Sequence, residues 1–247
     1  MSLSIGIVGL PNVGKSTLFN ALLKRQVAFA ANYPFATIEP NIGVVDVPDS
    51  RLEELAKVVR TEYGNKVGDR EVPEKVIPAV VKFYDIAGLV KGAHKGEGLG
   101  NAFLGHIREV DAILHVVRMF DDDNVSRAGS INPEEDRTTI NTELILADLA
   151  TLEKRAISID KELRKEPSKE NKEKAHLYKL LQENFNNNVL ASNMGFTEEE
   201  KLYLKDLNLL TLKPMLYVYN INEELMGKVS EQKVFTSLET GIPVCAK

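Results

Sequence analysis

Residues Gly9-Leu10-Pro11-Asn12-Val13-Gly14-Lys15-Ser16 read G-x-x-x-x-G-K-[ST], and a short apolar run, Leu3 to Val8, precedes them. No other feature narrows the possible folds so far. The pattern calls for a strand, a glycine-rich turn that wraps a phosphate, and a helix whose N-terminus points at the same anion. Glycines let main-chain N–H groups converge on the phosphate oxygens. Lys15 is expected to reach the β- and γ-phosphates and Ser16 to ligate Mg²⁺. Asn12, Val13, Gly14 and Thr17 are the other expected nucleotide contacts on this loop.

The sequence around the loop has the matching rhythm. Strand-like runs at Ile42–Val47, Ala79–Tyr84 and Ala112–Val117 alternate with helix-like segments at Lys15–Leu23, Asp49–Val59 and Leu99–Glu109. Such alternation predicts an α/β fold with a mostly parallel sheet. Two late strands, Met215–Tyr219 and Ile242–Cys245, resume the pattern after a long charged stretch without glycine. In that stretch Ile145, Leu149, Leu152, Ala156, Ile159 and Leu163 form a heptad-like seam. Pro167 ends the first helix, Ser168 caps a second, and Tyr178, Leu181 and Phe185 share one face of it. The expectation is an antiparallel α-helical hairpin inserted into one nucleotide-binding domain. That domain would take residues 1–130 and 208–247, and the coiled-coil insert 131–207. Thr197-Glu198-Glu199-Glu200 reads as a capping box.

Composition excludes other classes. The chain of 247 residues is 43% hydrophobic and 27% charged, with a net charge of −5, so it has no global basic footprint for DNA. Its single cysteine, Cys245, permits no internal disulfide and reads as a core thiol. No signal peptide or membrane-spanning run is evident, and a cytoplasmic location is expected. His106 and His115 read as packing residues.

Three further segments carry chemistry. Asp85-Ile86-Ala87-Gly88 follows a strand, where α/β sheets bind ligands. Asp85 is expected to hold Mg²⁺ through water, and the Gly88 N–H to sense the γ-phosphate. Thr37, in the loop before the second strand, is the candidate to complete the magnesium shell. Asn220-Ile221-Asn222-Glu223 stands where many phosphate-loop switch proteins carry Asn-Lys-x-Asp to read guanine. Glu223 is one methylene longer than that Asp, and Ile221 replaces the lysine. An Asn side chain can instead pair with adenine.

Taken together, GLPNVGKST, NYPFATIEPN, DIAGLVKGAHKGEGLGN, INTELILADL, LTLKP and N-x-N-E closely resemble the Obg-like ATPases, the YchF branch of the translation-factor GTPases. The resemblance covers essentially the whole chain. It implies a phosphate-loop nucleotide domain of the Ras-like type, an inserted helical hairpin, and hydrolysis of ATP in preference to GTP. It also implies ribosome binding; the nine Lys/Arg against six Asp/Glu in residues 153–179 are a solvated helix face that would also suit rRNA phosphates. Asn220, Asn222 and Glu223 fall in the family's base-reading segment, and Phe120 matches the aromatic residue near the adenine. By the resemblance a covering helix and a TGS domain would follow Lys247, leaving the nucleotide domain truncated here at its C-terminal end.

Leu89 stands where classical GTPases carry a water-orienting Gln. Asn12 occupies the position that helps bind a potassium ion in related switch proteins lacking that Gln. His94, in the loop after Gly88, is a second candidate for activating water. Two other readings stay open on the sequence: a GTPase switch of the same fold, and a nucleotide-gated binding module with vestigial hydrolysis.

Overall fold

The structure, a computed structural model, describes residues 2–24, 41–63, 66–67, 70–71, 76–86, 99–121, 126, 129–228 and 241–246. Its chain order is β1 (Leu3–Val8), α1 (Lys15–Lys24), β2 (Asn41–Asp46), α2 (Ser50–Tyr63), β3 (Lys66–Val67), β4 (Arg70–Glu71), β5 (Val80–Asp85), α3 (Leu99–Glu109) and β6 (Ala112–Arg118). Then come α4 (Pro133–Lys165), α5 (Lys169–Asn186), α6 (Glu198–Leu204), β7 (Met215–Asn220), α7 (Glu223–Lys228) and β8 (Gly241–Val244). Short 3₁₀ turns lie at Ala191–Asn193 and Lys205–Leu207.

Six strands form one sheet in the order β2-β5-β1-β6-β7-β8. Only β2 runs antiparallel, against β5. Covered faces on a parallel sheet demand apolar runs, and Ile113 to Arg118 in β6 are all buried. Because β1, β5, β6 and β7 are parallel, their C-terminal ends share one sheet edge. The phosphate loop, Asp85, Phe120 and Asn222 all lie just at or beyond those ends.

The two long helices are ended by local chemistry. Asn132 caps α4, accepting from the Glu134 N–H at 3.0 Å, and Pro133 takes the first position, where a missing N–H costs nothing. Ser168 caps α5, accepting from the Asn171 N–H at 3.1 Å. Thr197 and Glu200 form the reciprocal capping box of α6. Each such cap stabilises its helix by about 1 kcal/mol.

At 33 residues α4 is about 50 Å long. Ile140, Leu144 and Ala147 pack into the core around β1, β6 and β7. Ile145, Leu152 and Ile159 pack instead with Leu177, Tyr178, Leu181 and Phe185 of α5. Two apolar cores therefore meet on this helix, which supplies apolar side chains to both. A buried carboxylate fixes the crossing point. Asp148 accepts from the Leu210 N–H at 2.9 Å, the Thr211 N–H at 2.8 Å and the Thr211 hydroxyl at 2.7 Å. Among the described residues no helix is long and apolar enough to cross a membrane.

Candidate functional site

The turn from β1 to α1 supplies the first wall. Gly9, Asn12 and Gly14 take positive φ values of 155°, 62° and 99°. At Gly14 the conformation is left-handed, and a Cβ would collide with the Asn220 side-chain amide. Glycine is required there for both reasons. Lys15 follows, 7% exposed, and its Nζ donates to the Leu10 main-chain oxygen at 2.8 Å. Burial pushes its ammonium down to about 8, against the opposing pull of Asp85. A buried cation facing a turn of main-chain N–H groups is a site for an anion of high charge.

Asn220 joins three distant segments. Its Nδ2 donates to the Val13 main-chain oxygen at 2.9 Å, and its Oδ1 accepts from the Ala246 N–H at 3.1 Å. The side chain is thus first a strut between the phosphate loop and the segment after β8. An amide has two hydrogens and an oxygen with two lone pairs, so one of each remains for a ligand. Asn222 accepts from the Leu225 N–H at 2.9 Å through Oδ1 and so caps α7, which leaves its Nδ2 as the group free of that task.

Asn12, Gly14, Lys15, Ser16, Thr17 and Phe120 line one cleft of about 480 Å³, together with Asp121, Asn220, Ile221, Asn222, Glu223, Cys245 and Ala246. Its volume suits a nucleotide-sized ligand. One end is cationic and rich in main-chain donors. The other has an aromatic ring, apolar Ile221 and Ala246, and a few polar side chains. Nine of the residues expected to contact nucleotide or metal line it, Asp85 lies close by at the end of β5, and Val13 is buried with its main-chain oxygen accepting from Asn220. Thr37, Gly88, Leu89 and His94 lie outside the described residues.

The donor set near Lys15 fits a hard divalent cation. The Asp85 Oδ1 is buried with no hydrogen-bond partner, and the Ser16 hydroxyl lines the cleft at the head of α1. Oxygen donors of this kind are the ligands Mg²⁺ takes.

One expectation changes. Cys245 is not a core thiol: β8 ends at Val244, and Cys245 lies half-buried on the cleft wall. Ser126 was invisible in the sequence. Its main-chain oxygen and hydroxyl accept from the Asn12 Nδ2 at 3.1 and 3.0 Å, fixing the tip of the phosphate loop. Arg118 was likewise missed; its Nε donates to the Phe120 main-chain oxygen at 3.1 Å. His115, a packing residue as read, is 1% exposed and packs against Tyr217 in a tilted ring contact, with centroids 5.3 Å apart. Burial, with Arg137 and Lys15 adding to it, pushes the imidazole down to about 3, so it is neutral.

Known proteins show the same arrangement of sequence and fold. A family model described as 50S ribosome-binding GTPase matches residues 4–142. The chain is 48% identical over its whole length to the ribosome-binding ATPase YchF of Bacillus subtilis (strain 168), covering 66% of that protein. It is 48% identical to the protein of the same name from Escherichia coli O157:H7, over 91% of this chain and 58% of that one. The solved structure of the Schizosaccharomyces pombe YchF GTPase superimposes with a TM-score of 0.67 at 33% identity, over 99% of this chain and 66% of that one. The chain thus spans less than two thirds of the length of these relatives. On a family match that takes in more than half of its residues, the chain belongs to the 50S ribosome-binding GTPases, among relatives that carry the YchF name.

Proposed function

We propose that this chain is a Mg²⁺-dependent phosphate-loop nucleoside triphosphatase that prefers ATP to GTP and serves a ribosome-associated switch. The observation that carries the reading is the single cleft with a cationic, donor-rich end at Lys15 and an aromatic end at Phe120. The names of the YchF relatives support the hydrolase and ribosome parts of the reading. The ATP preference rests on Ile221 and Glu223, which stand where a guanine reader has Lys and Asp. A cytoplasmic site of action goes with the ribosomal partner.

Each residue has a task in this reading. Main-chain N–H groups of Asn12, Val13 and Gly14 hold the phosphates, and Thr17 borders them at the head of α1. Lys15 leaves the Leu10 oxygen and pairs with the β- and γ-phosphate oxygens, offsetting charge as the terminal phosphoryl group leaves. Ser16, Asp85 and Thr37 hold Mg²⁺, which supplies Lewis-acid polarisation of the phosphates when bound. Gly88 senses the γ-phosphate through its N–H. Asn12 offers its amide oxygen to K⁺, and His94 orients water. Phe120, Asn220, Asn222 and Glu223 hold the base. Residues 131–207 form the inserted helical hairpin, whose first helix also packs on the sheet.

Calorimetric titration of the chain with ATP and with GTP, each with Mg²⁺, tests the reading. ATP is expected to bind more tightly, by the roughly 1–3 kcal/mol that unpaired buried guanine donors cost. A tenfold preference for GTP would return the base choice to the GTPase alternative. Binding without turnover, with ribosomes present, would make the chain a gated binding module.

A further inference from the structure

Behind the aromatic end of the cleft lies a buried cation that the proposed chemistry does not use. Arg118 ends β6, is 3% exposed, and is not among the residues lining the cleft. Its guanidinium carbon stands 4.3 Å from the centroid of the Phe120 ring, well inside cation–π range. Its Nε holds the main-chain oxygen of the same residue at 3.1 Å. One side chain therefore grips Phe120 twice, by ring and by backbone. The chain leaving β6 is tied down as well, since the Met119 N–H donates to the Asn220 main-chain oxygen at 2.8 Å. Phe120 itself lines the cleft.

Resting on the nucleotide reading above, we propose that Arg118 is the positioning residue for base stacking: it holds Phe120 as a fixed wall against which a purine ring lies. Two physical effects follow. A ring already ordered pays little to accept a ligand, because its rotamer freedom is gone before binding. A cation on one face also draws π-density toward itself, which makes the opposite face a better partner for an electron-rich purine. Stacking reads the π-face and not the exocyclic groups, so Arg118 raises affinity for ATP and GTP alike. Choice between the two bases stays with residues 220–223.

The test is a double-mutant cycle on the whole chain. Wild type, Arg118→Met, Phe120→Leu and the double variant are titrated with ATP, GTP and inorganic tripolyphosphate, all with Mg²⁺. Arg118→Met is expected to weaken ATP and GTP together by about tenfold, the order of one desolvated cation–π contact. Tripolyphosphate, which has no base, should bind as to wild type. The double variant should lose no more than Phe120→Leu alone, since Arg118 acts through that ring. Arg118→Lys keeps a cation and should recover part of the loss; it carries the same comparison should Arg118→Met fail to fold. Equal losses for ATP and tripolyphosphate, additive losses in the double variant, or no loss at all would each overturn the proposal. Failure of the nucleotide reading looks different: wild type would bind neither ATP nor tripolyphosphate, and the proposal would fall with it.

Discussion

The Asn220 side-chain amide donates to the main-chain oxygen of Val13 across 207 residues of sequence, at 2.9 Å. With the return bond from the Ala246 N–H, one 3%-exposed side chain ties the Gly-rich turn after β1 to the segment after β8. Asn220→Ala should leave the buried Val13 oxygen unpaired, at about 1–3 kcal/mol, and release the part-buried Ala246 N–H. Asn220→Asp is nearly the same shape but turns an acceptor toward the Val13 oxygen. Urea denaturation should rank both below wild type, and nucleotide affinity should fall with tripolyphosphate affinity, since the phosphate loop itself loses its strut. An Asn220 variant that weakens ATP and spares tripolyphosphate would make the residue a base reader only.

Lys15 sets a pH dependence. Its folded-state pKa of about 8 lies below the ordinary 10.5, chiefly through burial. Between those values the unfolded chain holds the proton and the folded chain does not, so this group makes stability rise with pH across that window. Triphosphate binding reverses the balance, because the anion favours the charged ammonium. Affinity for ATP should be flat below pH 8 and fall above it, with proton uptake visible when titrations are repeated in buffers of different ionisation enthalpy. Lys15→Ala should abolish that proton uptake and cost about 2–5 kcal/mol of binding.

Much of this was legible where the chemistry is local. The phosphate loop, the Ser168 cap and the Thr197–Glu200 capping box each lie within a few residues, and each reads directly from its pattern. What the sequence hides are relationships closed by the sheet. Nothing near Asn12 announces Ser126, and nothing near Cys245 announces that the strand stops one residue earlier, at Val244. Periodicity in α4 marks apolar faces. It does not say that Ile140 and Leu144 serve one core while Ile145 and Leu152 serve another.

The middle of α4, where it meets Leu210 and Thr211, should be the weak point of the fold when Asp148 is changed. Burial pushes its carboxyl up to about 6, against the three donors of Leu210 and Thr211 that favour the charged form. A folded pKa raised above the unfolded value means this group's contribution is best below about pH 4 and declines as pH rises to 6. Asp148→Ala removes that pH dependence but orphans all three donors, and should destabilise by about 3–5 kcal/mol at neutral pH. Urea melts of the two proteins from pH 4 to 7 measure both effects.

Cys245 offers a direct probe of occupancy, because it is the only thiol in the chain and lies on the cleft wall. Alkylation by a maleimide, followed by mass spectrometry, should slow when ATP and Mg²⁺ fill the cleft. Tripolyphosphate occupies only the cationic end and should protect less. Equal protection by both would move the base away from the wall formed by Cys245 and Ala246.

Asn12 is poised for the last test. Both bonds to Ser126 are made by its Nδ2, so the amide oxygen is not spent in that contact. A carbonyl-type oxygen held at a left-handed residue of the phosphate loop suits a hard monovalent cation beside the phosphates. Asn12→Ala should abolish any stimulation of turnover by potassium over sodium and leave ATP affinity within a few-fold of wild type. Ser126→Ala removes only the hydroxyl acceptor and keeps the main-chain one, so its potassium response should be blunted, not lost. His94→Ala separates the competing source of water activation: it should slow turnover equally in both salts. Equal rates in potassium and sodium for wild type would remove the cation from the mechanism. A wild-type rate for His94→Ala as well would leave water activation to neither residue.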